Sequence, residues 1–314
     1  MLSIVSPVYN ADKIIDELVK RIENEVSILK LDYEIILVED GSTDSSWKNI
    51  EEICKTNTKV RAIKLSRNFG QHYAITAGLF HAKGDWVIVM DCDLQDDPVY
   101  IKDLYYKAIE GYDIVYTYKK QRNHSFIKNF TAHLYNRIFN WLIDNKSWRS
   151  STQVGAYSIL SSKVVKQFTG LKDYRRHYLT ILRWLGFNYT FIEIEHKTRF
   201  SGKSSYNFIK LFNHAIDGII SQSDKLLRLT VFLGFILSFL SIIGALYIVI
   251  MTFIEPLQSG WPSIVVLILF MSGLIITSIG ISAIYIGKIF EQTKQRPLFI
   301  IDKTYNINSI SSPN

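Results

Sequence analysis

The sequence predicts an α/β domain on a mostly parallel sheet, followed by interfacial amphipathic helices and two membrane-spanning helices. Three observations predict it. Strand-length apolar runs alternate with helically periodic segments through the first 120 residues, the pattern of parallel strands joined by crossover helices. Residues 230–254 and 263–287 are two 25-residue segments without a charge, each roughly 37 Å long as a helix against a hydrocarbon core of about 30 Å. Soluble core helices of that length carry a polar face. Finally, residues 126–143 and 206–220 interleave Phe, Ile and Trp with Lys, His and Arg at helical spacing, as helices lying in a membrane interface do, although a core-facing helix has the same periodicity.

The elements follow in order. Leu2 to Val8 reads as a strand. Ile15, Leu18, Ile22, Val26 and Leu29 then recur on one helical face. Residues 34–38 form a second strand and 45–55 a helix. Residues 60–65 are a third strand and 73–83 a third helix, with Gly84 placed as its C′ residue. Residues 86–90 are a fourth strand. Asp97-Pro98 reads as an N-cap with proline at N1, opening a helix to about Glu110. Residues 114–118 are a further strand, and the chain beyond Asp302 reads as a polar tail. The expected organisation is a domain over 1–200, a juxtamembrane amphipathic helix over 201–228, a two-helix membrane domain over 229–290, and a tail over 291–314.

The first five residues enter the strand pattern without a basic leader, so the N-terminal domain is expected to stay on the side where it is made. Lys225 and Arg228 precede the first span, and Lys288, Lys294 and Arg296 follow the second. The connector 255–262 carries no Lys or Arg. The positive-inside rule then puts the domain and both termini in the cytosol, with a multi-pass anchor in the cell (inner) membrane. The formal charge is +7. Because much of the basic charge lies near the spans and in aromatic-rich segments, it fits anionic lipid headgroups better than nucleic acid. Two cysteines, Cys54 and Cys92, fit a reducing compartment. Gly234, Ser238, Gly273 and Gly280 leave room for close helix packing within a homo-oligomer, though small residues are common in spans.

Chemistry concentrates at the strand ends. Asp91-Cys92-Asp93 follows the fourth strand, and two carboxylates at i and i+2 can converge on one hard cation. Alone, such a pair is a common surface turn. Support comes from Glu39-Asp40-Gly41-Ser42 after the second strand and Ser6-Pro7-Val8-Tyr9-Asn10 at the end of the first. Ligands of parallel sheets bind at the carboxyl ends of the strands. Asp40 is placed to accept from a base or ribose, and Tyr9 to pack on a base. With Asp96 and Asp97, six acidic groups would share one edge, where their repulsion calls for a metal or a basic ligand.

These residues resemble a known family. Ser6-Pro-Val-Tyr-Asn10, Val38-Glu-Asp-Gly-Ser-Thr-Asp44, Leu65-Ser-Arg-Asn-Phe-Gly70, Gly84-Asp85 and Met90-Asp-Cys-Asp-Leu-Gln-Asp96 recur in the order and spacing of family 2 of the inverting glycosyltransferases, which has the GT-A fold. The polyprenyl-phosphate subgroup, with bactoprenol glucosyltransferases and dolichyl-phosphate mannose synthases, is the most similar part of that family. The resemblance extends through Arg199-Phe-Ser-Gly-Lys-Ser204 to both spans. It implies a nucleotide-sugar donor, a polyprenyl phosphate acceptor at the bilayer, and Mg²⁺ or Mn²⁺. Pro7, Tyr9, Asp40, Arg67 and Asp91 would contact the donor; a structural ion pair is the alternative for Arg67. Asp91, Asp93 and Gln95 would hold the metal. Lys119, Arg122 and Arg199 would bind donor or acceptor phosphate, and catalytic roles fall on Asp91, Asp93, Arg199 and Lys203.

Two positions depart from the family pattern. The stretch Thr152-Gln-Val-Gly-Ala-Tyr-Ser158 has no acid where the family often carries a candidate base, and Ser205 stands where a lysine is usual, with Lys203 nearby. A hydroxyl acceptor needs a positioned base. A phosphate monoester, with its second pKa near 6, is already largely a dianion at pH 7, so the missing acid favours a phosphate acceptor. Two rivals stay open: a membrane transferase acting on a glycan or glycolipid hydroxyl, and an inactive membrane scaffold for lipid-linked sugars.

Overall fold

The computed structural model describes residues 1–119, 154–174, 176–195, 225–254 and 260–307. Segments 126–143 and 206–220, together with Arg122, Arg199 and Lys203, lie outside the described residues. The described residues fall into two compact units, one containing the sheet and one containing the two long C-terminal helices.

The first unit begins with β1 (Leu2–Val8), α1 (Ile15–Leu29), β2 (Tyr33–Glu39), α2 (Ser46–Thr56), β3 (Val60–Leu65), α3 (Gln71–His81) and β4 (Trp86–Val89). A 3₁₀ turn over Pro98–Tyr100 leads into α4 (Ile101–Ile109), then β5 (Ile114–Lys119), β6 (Val154–Ser161), α5 (Ser162–Gly170), α6 (Tyr178–Leu185) and β7 (Tyr189–Ile194). The eight-stranded sheet runs β7-β5-β6-β4-β1-β2-β3, and an eighth strand, β8 (Ile301–Tyr305), closes its far edge. Pairings β1–β2, β1–β4, β2–β3 and β5–β7 are parallel, whereas β6 and β8 run antiparallel to their neighbours. This mixed, mostly parallel α/β sheet is the expected class of fold.

The central strands are buried on both faces, which explains their largely apolar sequences: every residue of β1 is buried, Ser3 and Ser6 included. On one face, Leu2, Ile4 and Val8 join Ile15, Leu18, Ile22 and Val26 of α1, Ile50 of α2 and Leu104 of α4 in one core. On the other face α3 presses directly on the sheet. A Cβ at Gly78 would lie 2.3 Å from Cγ1 of Val5, so only glycine permits this approach.

Three expectations are corrected. Helix α3 ends at His81, and Gly84 is not its C′ residue; a Cβ on Gly84 would meet the Ser3 amide at 2.6 Å, so its role is close packing against β1. Asp97 does cap a proline turn, accepting from the Val99 amide at 3.1 Å, but the turn is 3₁₀ before it becomes α4. The segment read as a polar tail supplies β8, an edge strand antiparallel to β3. Its alternation of apolar and polar residues is too short to register without the partner strand.

In the second unit, α7 (Lys225–Ile254) and α8 (Trp261–Thr293) are both long and apolar enough to cross a membrane. They expose large side chains such as Phe232, Phe235, Ile276 and Ile286, so the buried-core reading does not apply. Polar groups along α8 bond back onto their own helix, Thr277 to the Gly273 carbonyl at 2.8 Å and Ser282 to that of Ser278 at 3.0 Å. That removes the cost of bringing free hydroxyls into hydrocarbon.

Candidate active site

The sheet gathers the candidate residues by topology alone. In the spatial order β4-β1-β2-β3 the strands are parallel, so their C-terminal ends share one edge. Asp91 follows β4, Tyr9 follows β1, Asp40 follows β2 and Arg67 follows β3. Lys119 ends β5, which runs in the same direction because β6 is antiparallel to both β4 and β5. Pro7 is buried within β1 opposite Val38. Tyr9 leaves its ring 49% exposed at the mouth of this edge, available to stack on a planar ligand.

Loops at that edge are laced together. The Asn10 amide donates to Ser42 Oγ at 3.1 Å, and the Thr43 amide returns to Asn10 Oδ1 at 3.0 Å. The Ala11 amide donates to Ser46 Oγ at 2.9 Å, and Asp44 accepts from the Asp12 and Ser46 amides. These hydrogen bonds hold the Asp44 carboxyl below its usual range against a burial effect that alone would raise it.

Asp40, 3% exposed, does unexpected work. Its Oδ1 accepts the Phe69 amide at 2.7 Å and its Oδ2 the Gly70 amide at 2.9 Å. Burial pushes its pKa up, the two amides and Arg67 pull it down, and Glu39 pushes it up again; the net direction is upward. Asp40 therefore fixes the loop that runs from β3 into α3. Gly41, at φ +68°, lets that loop pack against it: a Cβ there would meet the Asn68 nitrogen at 2.3 Å and the Arg67 carbonyl carbon at 2.6 Å. Arg67 lies over the Phe69 ring at 4.1 Å, and among the described residues it makes no ion pair.

Gln71 opens α3 and donates its side-chain amide to Asp91 Oδ1 at 2.6 Å. Asp93 accepts the Gln95 amide at 3.1 Å, closing an Asx turn through Leu94 at φ +56°. Cys92 lies between the carboxylates. Burial, with Asp91 second, pushes its thiol up to about 12; burial takes Cys54 to about 11. Both thiols should therefore resist iodoacetamide at pH 8 in the folded protein and react in denaturant, because only the thiolate attacks. Peptide mass mapping checks this, with Cys92 labelling in the folded state as the contrary result.

Several of the six acids are engaged by backbone amides. Glu39 accepts the Ser42 amide, Asp40 the loop amides and Asp97 the Val99 amide. Among the described residues, no group of three or more His, Cys, Asp or Glu is arranged to hold a metal. Asp91 and Asp93 remain as partly exposed, hard oxygen donors on one loop. That set fits Mg²⁺ or Mn²⁺, which bind through one or two carboxylates and complete their shell with phosphate oxygens and water.

Comparison with known proteins agrees with this geometry. Glycosyl transferase family 2 matches residues 3–169. Full-length relatives include the uncharacterized glycosyltransferase sll0501 of Synechocystis, 34% identical over 98% of this chain and 96% of its own length. The chain belongs to glycosyltransferase family 2. The SfII prophage-derived bactoprenol glucosyl transferase of Shigella flexneri is 31% identical to this glycosyltransferase, over 98% and 99% of the two chains. Glucosyl-3-phosphoglycerate synthase from Mycobacterium tuberculosis, solved with Mn²⁺, UDP and phosphoglyceric acid, shares its fold at a TM-score of 0.51, with 16% identity over 71% of this chain and 78% of that one.

Sequence reasoning about the glycosyltransferase missed Gln71 and the scaffolding role of Asp40. A glutamine after a glycine has no signature of its own, and both contacts are long-range in the chain. Gly41 was legible as a turn residue, but its closeness to Asn68 was not.

Proposed function

We propose that this glycosyltransferase moves a sugar, with inversion, from a nucleotide-sugar, UDP-linked, to polyprenyl (undecaprenyl) phosphate at the cytosolic face of the membrane. Tyr9, Asp40 and Arg67 lie on the donor side, around the base and ribose. Asp91 and Asp93, with Gln95 beside them, hold a divalent cation that offsets the charge of the diphosphate leaving group. Lys119, Arg122, Arg199 and Lys203 supply cationic charge for donor and acceptor phosphates. The apolar helices and the relatives named bactoprenol glucosyl transferase support a lipid acceptor.

One observation carries the choice of a phosphate acceptor. Strand β6 pairs with β4, and their register ends where Val89 faces Ser158. No residue of β6 is acidic. Nearby, Ser158 Oγ bonds the Ala156 carbonyl and the Tyr178 hydroxyl, both at 2.8 Å, and burial drives the Tyr178 phenol far above its usual range. Among the described residues, β6 therefore offers no carboxylate that could serve as a base. A phosphate dianion needs none; it needs positioning and cations.

The test uses purified full-length protein in vesicles with undecaprenyl phosphate, radiolabelled UDP-sugars and no glycan. Label entering the lipid fraction is the expected result. Label transferred only after a glycan or glycolipid is added would establish the hydroxyl acceptor instead, and no transfer in either case would favour the inactive scaffold.

A further inference from the structure

We propose that the segment following α8, residues 296–306, is a positioning strap that sets the shape of the donor loop and hence the affinity for the nucleoside diphosphate. The inference rests on the donor site proposed above but concerns residues that touch none of its candidate ligand groups.

The donor loop, Ser66 to Gly70, connects β3 to α3, and the strap grips both of those elements. At the β3 end, the Ser66 amide donates to the Ile300 carbonyl at 2.9 Å. The β3–β8 register shifts between Lys64 and Leu65, so Asp302 bulges where β3 hands over to the loop, and Asp302 meets Lys64 at 3.8 Å. Bulges bend and twist a strand, re-aiming the residues beyond them. At the α3 end, Phe299 is 1% exposed and meets Phe80 edge-on, ring centres 5.9 Å apart. The strap's far end is pinned as well. The Asn306 side-chain amide donates to the Val60 carbonyl at 2.8 Å and the Cys54 carbonyl at 3.0 Å, and Tyr305 packs on Trp47.

From the loop, the contacts lead to the candidate ligand groups. The Phe69 and Gly70 amides bind the two oxygens of Asp40, the loop backbone packs on Gly41, and Gln71 bonds Asp91. Displacing either end of the loop withdraws amides from a buried carboxylate and shifts the partner of Asp91. A segment more than 200 residues away in sequence thereby acts on both the base side and the diphosphate side of one site.

The experiment measures UDP and GDP binding with Mn²⁺ by titration calorimetry on the full-length protein in detergent, alongside melting temperature. Phe299→Ala removes the ring that clamps α3. It should weaken nucleotide binding by about tenfold or more, a change of about 1.4 kcal/mol. Phe299→Leu, which refills most of the space, should recover most of the affinity, and it carries the test if the alanine variant does not fold. Val26→Ala, a core truncation in α1 remote from the loop, should lower the melting temperature without changing affinity. Affinity unchanged in both Phe299 variants, or lowered equally in Val26→Ala, overturns the strap while leaving the donor site standing. A wild-type protein that binds neither nucleotide overturns the donor site itself, and the strap's role with it.

Discussion

Asp91→Asn abolishes most transfer while leaving the fold intact. The asparagine carbonyl can still accept the Gln71 amide that Asp91 Oδ1 accepts at 2.6 Å, so the loop geometry has a route to survive. What disappears is one of two carboxylate charges on the loop proposed to hold the metal. Removing a preorganised electrostatic contact of this kind costs on the order of 10²–10³ in rate, and a weakened divalent ion adds to the loss. The measurement is initial-rate incorporation of labelled sugar into undecaprenyl phosphate at saturating donor, with melting temperature as the control for folding. Transfer within about threefold of wild type, against the magnitude expected of such contacts, would mean that the acidic pair is not the centre of the reaction.

Gly41→Ala should damage both stability and donor binding. The backbone at Gly41 has φ +68°, a conformation that costs a non-glycine residue about 1–2 kcal/mol. The new Cβ would also stand 2.3 Å from the Asn68 nitrogen. That neighbour is backbone, held in place by the Asp40 bonds to Phe69 and Gly70, so relief requires the loop to move and those charge-assisted bonds to lengthen, at about 1.5–3 kcal/mol each. Gly111→Ala separates strain from collision. Gly111 has φ +111° with nothing within 4 Å of the added atom, so that variant should lose some stability and keep its nucleotide affinity. Calorimetric titration of UDP and thermal melting of the two variants decide the matter. Equal affinities would place the Asn68 contact outside donor binding.

Much of the first unit was legible in its residues. Buried parallel strands are predominantly apolar, and Leu2–Val8, Tyr33–Glu39 and Val60–Leu65 each carry a largely apolar sequence broken by one or two polar residues. The Ile15–Leu29 periodicity matches a helix with the same ends. The two apolar segments could be read by length and lack of charge alone. Elements between 154 and 194 went unread; β7 is partly exposed along most of its length, whereas β6 buries five of its eight residues. An antiparallel strand inserted between two parallel neighbours also has no local signature.

For the site, residue type and order were enough to nominate Asp91, Asp93, Asp40 and Tyr9 as candidates, because hard-cation and nucleotide chemistry draws on a small set of side chains. Local pattern likewise determined the sheet-and-helix alternation and the membrane-length helices, since both depend on the spacing of apolar residues along the chain. Only the tertiary structure decided which carboxylates are taken up by backbone amides of the scaffold. It turned Asp40 onto the Phe69 and Gly70 amides, set β6 antiparallel beside β4, and brought Phe299 back against Phe80. The physical reason is that each of those outcomes depends on hydrogen bonds and contacts between segments distant in the chain, whose distances and directions exist only once the sheet has assembled.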